Sequence, residues 1–104
     1  MVHFSPTRLD ASFAALADAT RRGVLQQLSQ SDSTVTALAE RFDMTVTGMK
    51  KHIGVLERAG LVSTEKAGRV RTCRLGPHRL EAELTWLTSY QARWAARFGA
   101  LDTV

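Results

Sequence analysis

Apolar residues fall at helical spacing over the first third of the chain. Leu9, Phe13 and Leu16 recur at i, i+4 and i+7 behind Ser5-Pro6 and predict a helix with those three on one face. Asp18 is the predicted N-cap of a second helix, its carboxylate placed to accept from an unpaired amide of the next turn. Val24, Leu25 and Leu28 form the inward stripe of that helix. The polar, aperiodic run Ser29-Gln30-Ser31-Asp32-Ser33-Thr34 predicts a loop. A short third helix is expected over 36–42 with Leu38, Ala39 and Phe42 inward, and Asp43-Met44 leaves room only for a turn. Thr45 then caps a fourth helix whose inward face is Met49, Ile53 and Leu56. Gly60 follows, suited to the left-handed position that ends a helix.

Past Gly60 the period changes from helical to roughly alternating. Residues 61–66 and 70–75 are rich in β-branched side chains, and Ala67-Gly68-Arg69 lies between them, which predicts a hairpin. Gly76-Pro77 breaks the second strand, and a long helix is expected over 79–101. Two short helices, a tight turn and a hairpin come in the order of a winged helix-turn-helix. The expected fold is mainly α with a small β-hairpin. Its helix-turn-helix covers 36–59, its wing 61–75 and its terminal dimerisation helix 79–101, all in one domain over 1–104.

Composition narrows the class. The chain has 104 residues, 44% hydrophobic and 23% charged, which suits a folded domain rather than a disordered tail. Its longest uncharged runs have nine residues, against the roughly 20 that a membrane span needs. Pro6, Arg8 and Asp10 stand where a signal peptide would carry its apolar stretch, so a soluble cytoplasmic protein is expected. The single cysteine, Cys73, can form neither an intrachain disulfide nor a multi-thiolate metal site.

The net charge of +4 is unevenly spread. Residues 1–49 carry four Arg against five acids (−1), residues 50–74 seven cations against two acids (+5), and the remainder three of each (0). A basic surplus confined to one quarter of a chain is the footprint expected for a polyanionic partner, nucleic acid first.

The fourth helix, burying Met49, Ile53 and Leu56, must present Val46, Thr47, Lys50 and Lys51 on its other side, with Gly54 and Arg58 beyond. A helix fits the DNA major groove with its N-terminal residues at the base edges. Thr45 and Thr47 offer hydroxyls, Val46 a surface for a thymine methyl, and Lys50 and Lys51 charge. Gly48 either lets the backbone approach a neighbour closely or is a tolerated defect, at about 1 kcal/mol relative to alanine. His52 has two readings, a DNA contact or a half-buried ring packed against the domain. Lys66, Arg69 and Arg71 cluster on the hairpin, which can reach phosphates or the minor groove beside the recognised site. A solvent-facing hairpin whose charges only prevent strand association is the plainer alternative.

Three stretches resemble the ArsR/SmtB family of bacterial transcription regulators: Leu16-Ala17-Asp18-Ala19-Thr20-Arg21-Arg22, Leu38-Ala39-Glu40, and Lys51-His52-Ile53-Gly54-Val55-Leu56-Glu57-Arg58-Ala59-Gly60-Leu61-Val62. Gly68-Arg69-Val70-Arg71 with Arg74-Leu75 is similar to the family's wing. The resemblance implies a dimeric winged-helix repressor on a double-stranded DNA operator. It places Thr45, Val46, Thr47, Gly48, Lys50, Lys51 and His52 on the recognition helix.

There are departures. The metal-sensing cysteine pair of many members is absent from residues 37–43, and no histidine follows His78, Glu81 and Glu83. The chain is therefore expected to sense no metal and hold no cofactor, as in the family's metal-independent branch, which the spacing of Trp86, Tyr90, Trp94 and Phe98 resembles. Ala19 stands where proline is usual, and Cys73 where tyrosine is.

Leu80, Leu84, Leu87, Gln91, Trp94, Phe98 and Leu101 are spaced as a heptad seam, and Trp86 and Tyr90 widen it. A stripe that wide on a terminal helix predicts a homodimer, with Leu9 and Phe13 of the first helix packed beside the seam. Trp86, Tyr90 and Trp94 are either core or the lining of a small-molecule effector pocket. Cys73 fits a small buried hydrophobe better than a redox sensor. No nucleophile triad, phosphate-cradling loop or carboxylate pair is present, so the chain is not expected to be an enzyme. The expected function is a sequence-specific DNA-binding regulator. A winged helix used for protein interaction without specific DNA readout is the alternative.

Overall fold

The computed structural model describes residues 6–99. Its elements in chain order are α1 (Pro6–Leu16), α2 (Ala19–Leu28), β1 (Ser33–Thr34), α3 (Val35–Arg41), α4 (Val46–Arg58), β2 (Val62–Ala67), β3 (Val70–Leu75) and α5 (Glu81–Phe98). Ser5 and Leu101, at the ends of the predicted first and last helices, lie outside the described residues.

Side-chain caps set where the helices begin. The Asp18 carboxylate accepts from the Arg21 amide at 3.0 Å, Thr34 Oγ1 from Ala37 at 3.1 Å, and Thr45 Oγ1 from Gly48 at 3.0 Å. The amide bond from Arg21 is the main reason the Asp18 carboxyl sits below its ordinary value. Asp43 takes the left-handed conformation (φ 54°) in the turn between α3 and α4, as the short connection demands. At the end of α4, Gly60 (φ 77°) donates to Glu57 O and Leu61 donates to Leu56 O, both at 2.9 Å. This Schellman closure turns the chain directly into β2.

The core gathers the predicted stripes. Met49, Ile53 and Leu56 of α4 are buried with Val24 and Leu28 of α2, Val35, Leu38 and Ala39 of α3, and Leu61, Val62 and Cys73. The first helix differs from its predicted face. Its buried residues are Ser12 and Ala15, while Leu9 and Phe13 are only half-buried and Leu16 packs at the core's edge. Ser12 can be buried because its one hydroxyl proton has two acceptors within reach, the Arg8 carbonyl at 3.2 Å and the Glu83 carboxylate.

Two further expectations are corrected. The sheet has three strands in the order β1-β3-β2, not a lone hairpin. Ser33 and Thr34, predicted as loop, pair with Cys73 and Thr72. The last helix starts at Glu81, because Leu80 has a left-handed backbone (φ 64°) and packs against the domain's own core. Leu80 therefore does not belong to the predicted dimer seam. Before it, Gly76 donates to Leu61 O at 2.9 Å and His78 to Gly60 O at 3.0 Å, so the segment leaving the wing is fastened to the end of α4.

Candidate nucleic-acid interface

The side of α4 away from the core carries exposed Thr47, Lys50, Lys51 and Arg58, with Val46 38% exposed at its first turn. Thr45 caps this helix with its oxygen, which accepts from the Gly48 amide and leaves the hydroxyl proton to give. A Cβ at Gly48 would lie 3.2 Å from Thr45 Oγ1 and 3.4 Å from Met44 Cε. The close approach that glycine permits is thus to the preceding turn.

His52 is turned the other way. Its Nδ1 lies 3.1 Å from Arg21 Nη1 and 4.0 Å from Asp18 Oδ1. A guanidinium only donates, so Nδ1 accepts and the ring proton sits on Nε2. One residue before Ile53, His52 falls on the inward flank of the helix, which corrects its expected place among the DNA-facing residues. Arg21 also donates to the carbonyls of Ala15 (2.8 Å) and Ala14 (3.0 Å), and Arg22 to that of Leu16 (2.7 Å). Two arginines of α2 thereby bind carbonyls in the last turn of α1.

In the wing, Ala67 pairs with Val70, and Gly68-Arg69 forms the tip, with Gly68 at φ 64°. Lys66 and Arg69 are exposed there. Arg71, expected in the same tip cluster, stands further down, directly opposite Lys66 and only partly exposed. Its Nη1 donates to Thr64 Oγ1 at 3.1 Å, and the Thr64 hydroxyl donates to Glu57 Oε2 at 3.0 Å. Arg74, on the other face of the sheet, lies 3.5 Å from Asp32 and 3.4 Å from Glu65. One of the seven cations in the basic quarter is thus paired off, leaving Lys50, Lys51, Arg58, Lys66, Arg69 and Arg71. Neither Glu57 nor Thr64 stood out in the sequence, where only their places, one turn from a helix end and two residues from Lys66, hinted at a contact.

Along α5, Leu84, Trp86, Leu87, Tyr90, Trp94 and Phe98 are all exposed. Trp86 stacks on Tyr90 (5.8 Å between centroids, 8°) and meets the edge of Phe13 at 6.0 Å, so α1 does lie beside α5. Leu9 joins Trp86, Thr85, Ser89 and Arg93 around an open groove. His78 and Glu83 bond each other at the helix start. Among the described residues, no group of three His, Cys, Asp or Glu converges as metal ligands would. Cys73 is fully buried, and desolvation, helped by the charge of Glu57, pushes its thiol up to about 11. That environment suits packing rather than redox chemistry.

A helix-turn-helix domain family matches residues 16–65, which span α2 to most of β2. The HTH-type transcriptional regulator YuzN of Bacillus subtilis is 38% identical over 69 residues, covering 60% of this chain and 75% of that protein. The transcriptional repressor SdpR of the same organism is 27% identical over 78 residues, covering 75% and 87%. The crystal structure of an ArsR family transcriptional regulator superposes with a TM-score of 0.80 at 44% identity, covering 90% of this chain and 96% of that one. The chain belongs to the ArsR/SmtB family. It is a DNA-binding transcriptional regulator and not an enzyme. In this ArsR-type frame α3 and α4 are the helix-turn-helix, β2 and β3 the wing, and α5 the long terminal helix. Among the described residues, no helix is long and apolar enough to cross a membrane.

Proposed function

We propose that two copies of the chain join through α5 and bind a palindromic operator as a repressor in the bacterial cytoplasm. The supporting observation is a division of the surface. α5 leaves six large apolar side chains uncovered, while α4 keeps Thr47, Lys50 and Lys51 free of partners within the described residues. Fully burying each such apolar side chain contributes about 1.5–3 kcal/mol, so a second α5 is a favourable cover. A two-fold axis there sets two recognition helices about 34 Å apart, one turn of DNA. Val46, Thr47, Lys50 and Lys51 then read the major groove, and Lys66, Arg69 and Arg71 hold flanking phosphates. Repression is the role that the name of SdpR suggests. No metal enters this reading, since His78 and Glu83 satisfy each other.

The test is a mobility shift, over graded salt, on DNA from upstream of the chain's own coding sequence. A single retarded band whose affinity falls steeply with salt is expected. Binding that is absent or insensitive to salt would favour a protein-interaction module. Chelator should leave the shift unchanged.

A further inference from the structure

Lys66 and Arg71 stand directly opposite one another on the same face of the wing. Like charges so placed repel, and nothing in the strand pairing itself relieves them. The relief comes from one residue pair further along. Thr64, two residues before Lys66, shares that face and is opposite Cys73. Its hydroxyl gives its one proton to Glu57 Oε2 (3.0 Å) and takes one from Arg71 Nη1 (3.1 Å). The bonds run in one direction, from the wing arginine through the threonine to the last turn of the recognition helix. We propose that Thr64 is a positioning residue for DNA binding: it fixes Arg71 against Glu57 so that wing and recognition helix present their charges as one rigid unit.

The interposed hydroxyl matters. Among the described residues, Arg71 makes no ion pair with Glu57, unlike Arg74, which carboxylates neutralise on the opposite face. A direct carboxylate contact would hold Arg71 equally well but cancel the charge that a phosphate needs. Thr64 holds the guanidinium through one donor and leaves the other four of its five free. The bond also draws Arg71 along the sheet toward α4, away from Lys66. The charged groups facing this arginine are thus Lys66 across the ladder and Glu57 on α4, and Thr64 lies between it and the latter. Valine at 64 keeps the side chain's shape and removes both bonds.

The inference rests on Arg71 meeting DNA, so the experiment separates the two. Binding of the full chain to a mixed-sequence DNA duplex is measured by fluorescence anisotropy over a salt series, which requires no knowledge of the operator because phosphate contacts are sequence-independent. Arg71→Ala alone should weaken binding and lower the salt slope by about 0.9. Thr64→Val should weaken it about three- to tenfold, and Thr64→Ser, which restores the hydroxyl, should bind like wild type. In an Arg71→Ala background, Thr64→Val should have no further effect. Wild-type affinity in Thr64→Val, or an equal loss in both backgrounds, would overturn the positioning role while leaving the DNA reading intact. An Arg71→Ala variant that binds like wild type would overturn the DNA contact, and the positioning role with it. Thermal melts of each variant separate lost folding from lost placement.

Discussion

His78 Nε2 lies 2.9 Å from Glu83 Oε2 and 3.1 Å from Oε1, with the two side chains 10% and 4% exposed. An ionised carboxylate only accepts, so the Nε2 proton points at it. The pair joins the segment leaving the wing to the first turn of α5, beside Ser12 of α1. It is therefore the joint between the reading head and the long helix.

Burial alone would raise the Glu83 carboxyl, but hydrogen bonds from Ser12 and His78 outweigh it and hold the group below its ordinary value of 4.5. A carboxyl more acidic folded than unfolded stabilises the fold above the unfolded value, and that contribution disappears as pH falls through the lowered folded value. The melting temperature of the wild type should accordingly fall more steeply below about pH 4.5 than that of Glu83→Gln. At neutral pH the glutamine variant should be less stable by about 1–3 kcal/mol, read from chemical denaturation. Parallel acid profiles for the two proteins would count against this account.

On α4, Lys51 and His52 are sequence neighbours that face different ways, Lys51 to solvent and His52 to Arg21. Lys51→Ala should weaken DNA binding and reduce the salt slope by about 0.9. His52→Ala should leave the slope unchanged and instead lower the melting temperature, because its ring accepts from Arg21. Equal slopes for both variants would return His52 to the DNA face.

The proposed association through α5 makes a further demand. Light scattering of the wild type at micromolar concentration should give twice the chain mass of 11.5 kDa. Leu87→Asp should give the single mass, since a lone buried charge costs far more than the contact gains. A wild type of single mass would remove the two-fold model.

Gly76 carries a steric prediction. A Cβ built there would collide with the Gly60 carbonyl oxygen and lie 2.9 Å from Val62 N, both of them backbone atoms. Gly76→Ala must push the wing's exit away from the end of α4. A loss of about 1–3 kcal/mol is expected, measurable by denaturant titration, whereas Gly68→Asn at the open tip should cost less, because only the left-handed φ resists a side chain there and asparagine tolerates it.

The helices were legible because caps and periodicity are local signals. Asp18 and Thr45 each bond an amide three residues on, as expected, whereas the Thr34 cap stands inside the run read as a loop, and Met49, Ile53 and Leu56 follow from the helical repeat alone. β1 was not legible, since two polar residues have no period and their partners lie some forty positions away on β3. The heptad spacing took in Leu80 because periodicity cannot sense a left-handed φ just ahead of a helix. The buried face of the first helix differs from the expected one for a related reason. A size-based pattern picks Leu9 and Phe13, while the tight contact with the domain is made by small Ser12 and Ala15. In the candidate site, residue types were readable but not their orientation. His52 and Arg71 are set by partners on other elements, Arg21 and Thr64.

The sealed position of Cys73 has a practical side. A thiol raised to about 11 and walled in by the core stays protonated and out of reach of maleimide reagents at neutral pH. The chain thus comes with its native cysteine already silent. A second cysteine placed at the wing tip or on the outer face of α4 could carry a fluorophore or spin label without first deleting the natural one, so the approach of each element to DNA could be followed in the unaltered core.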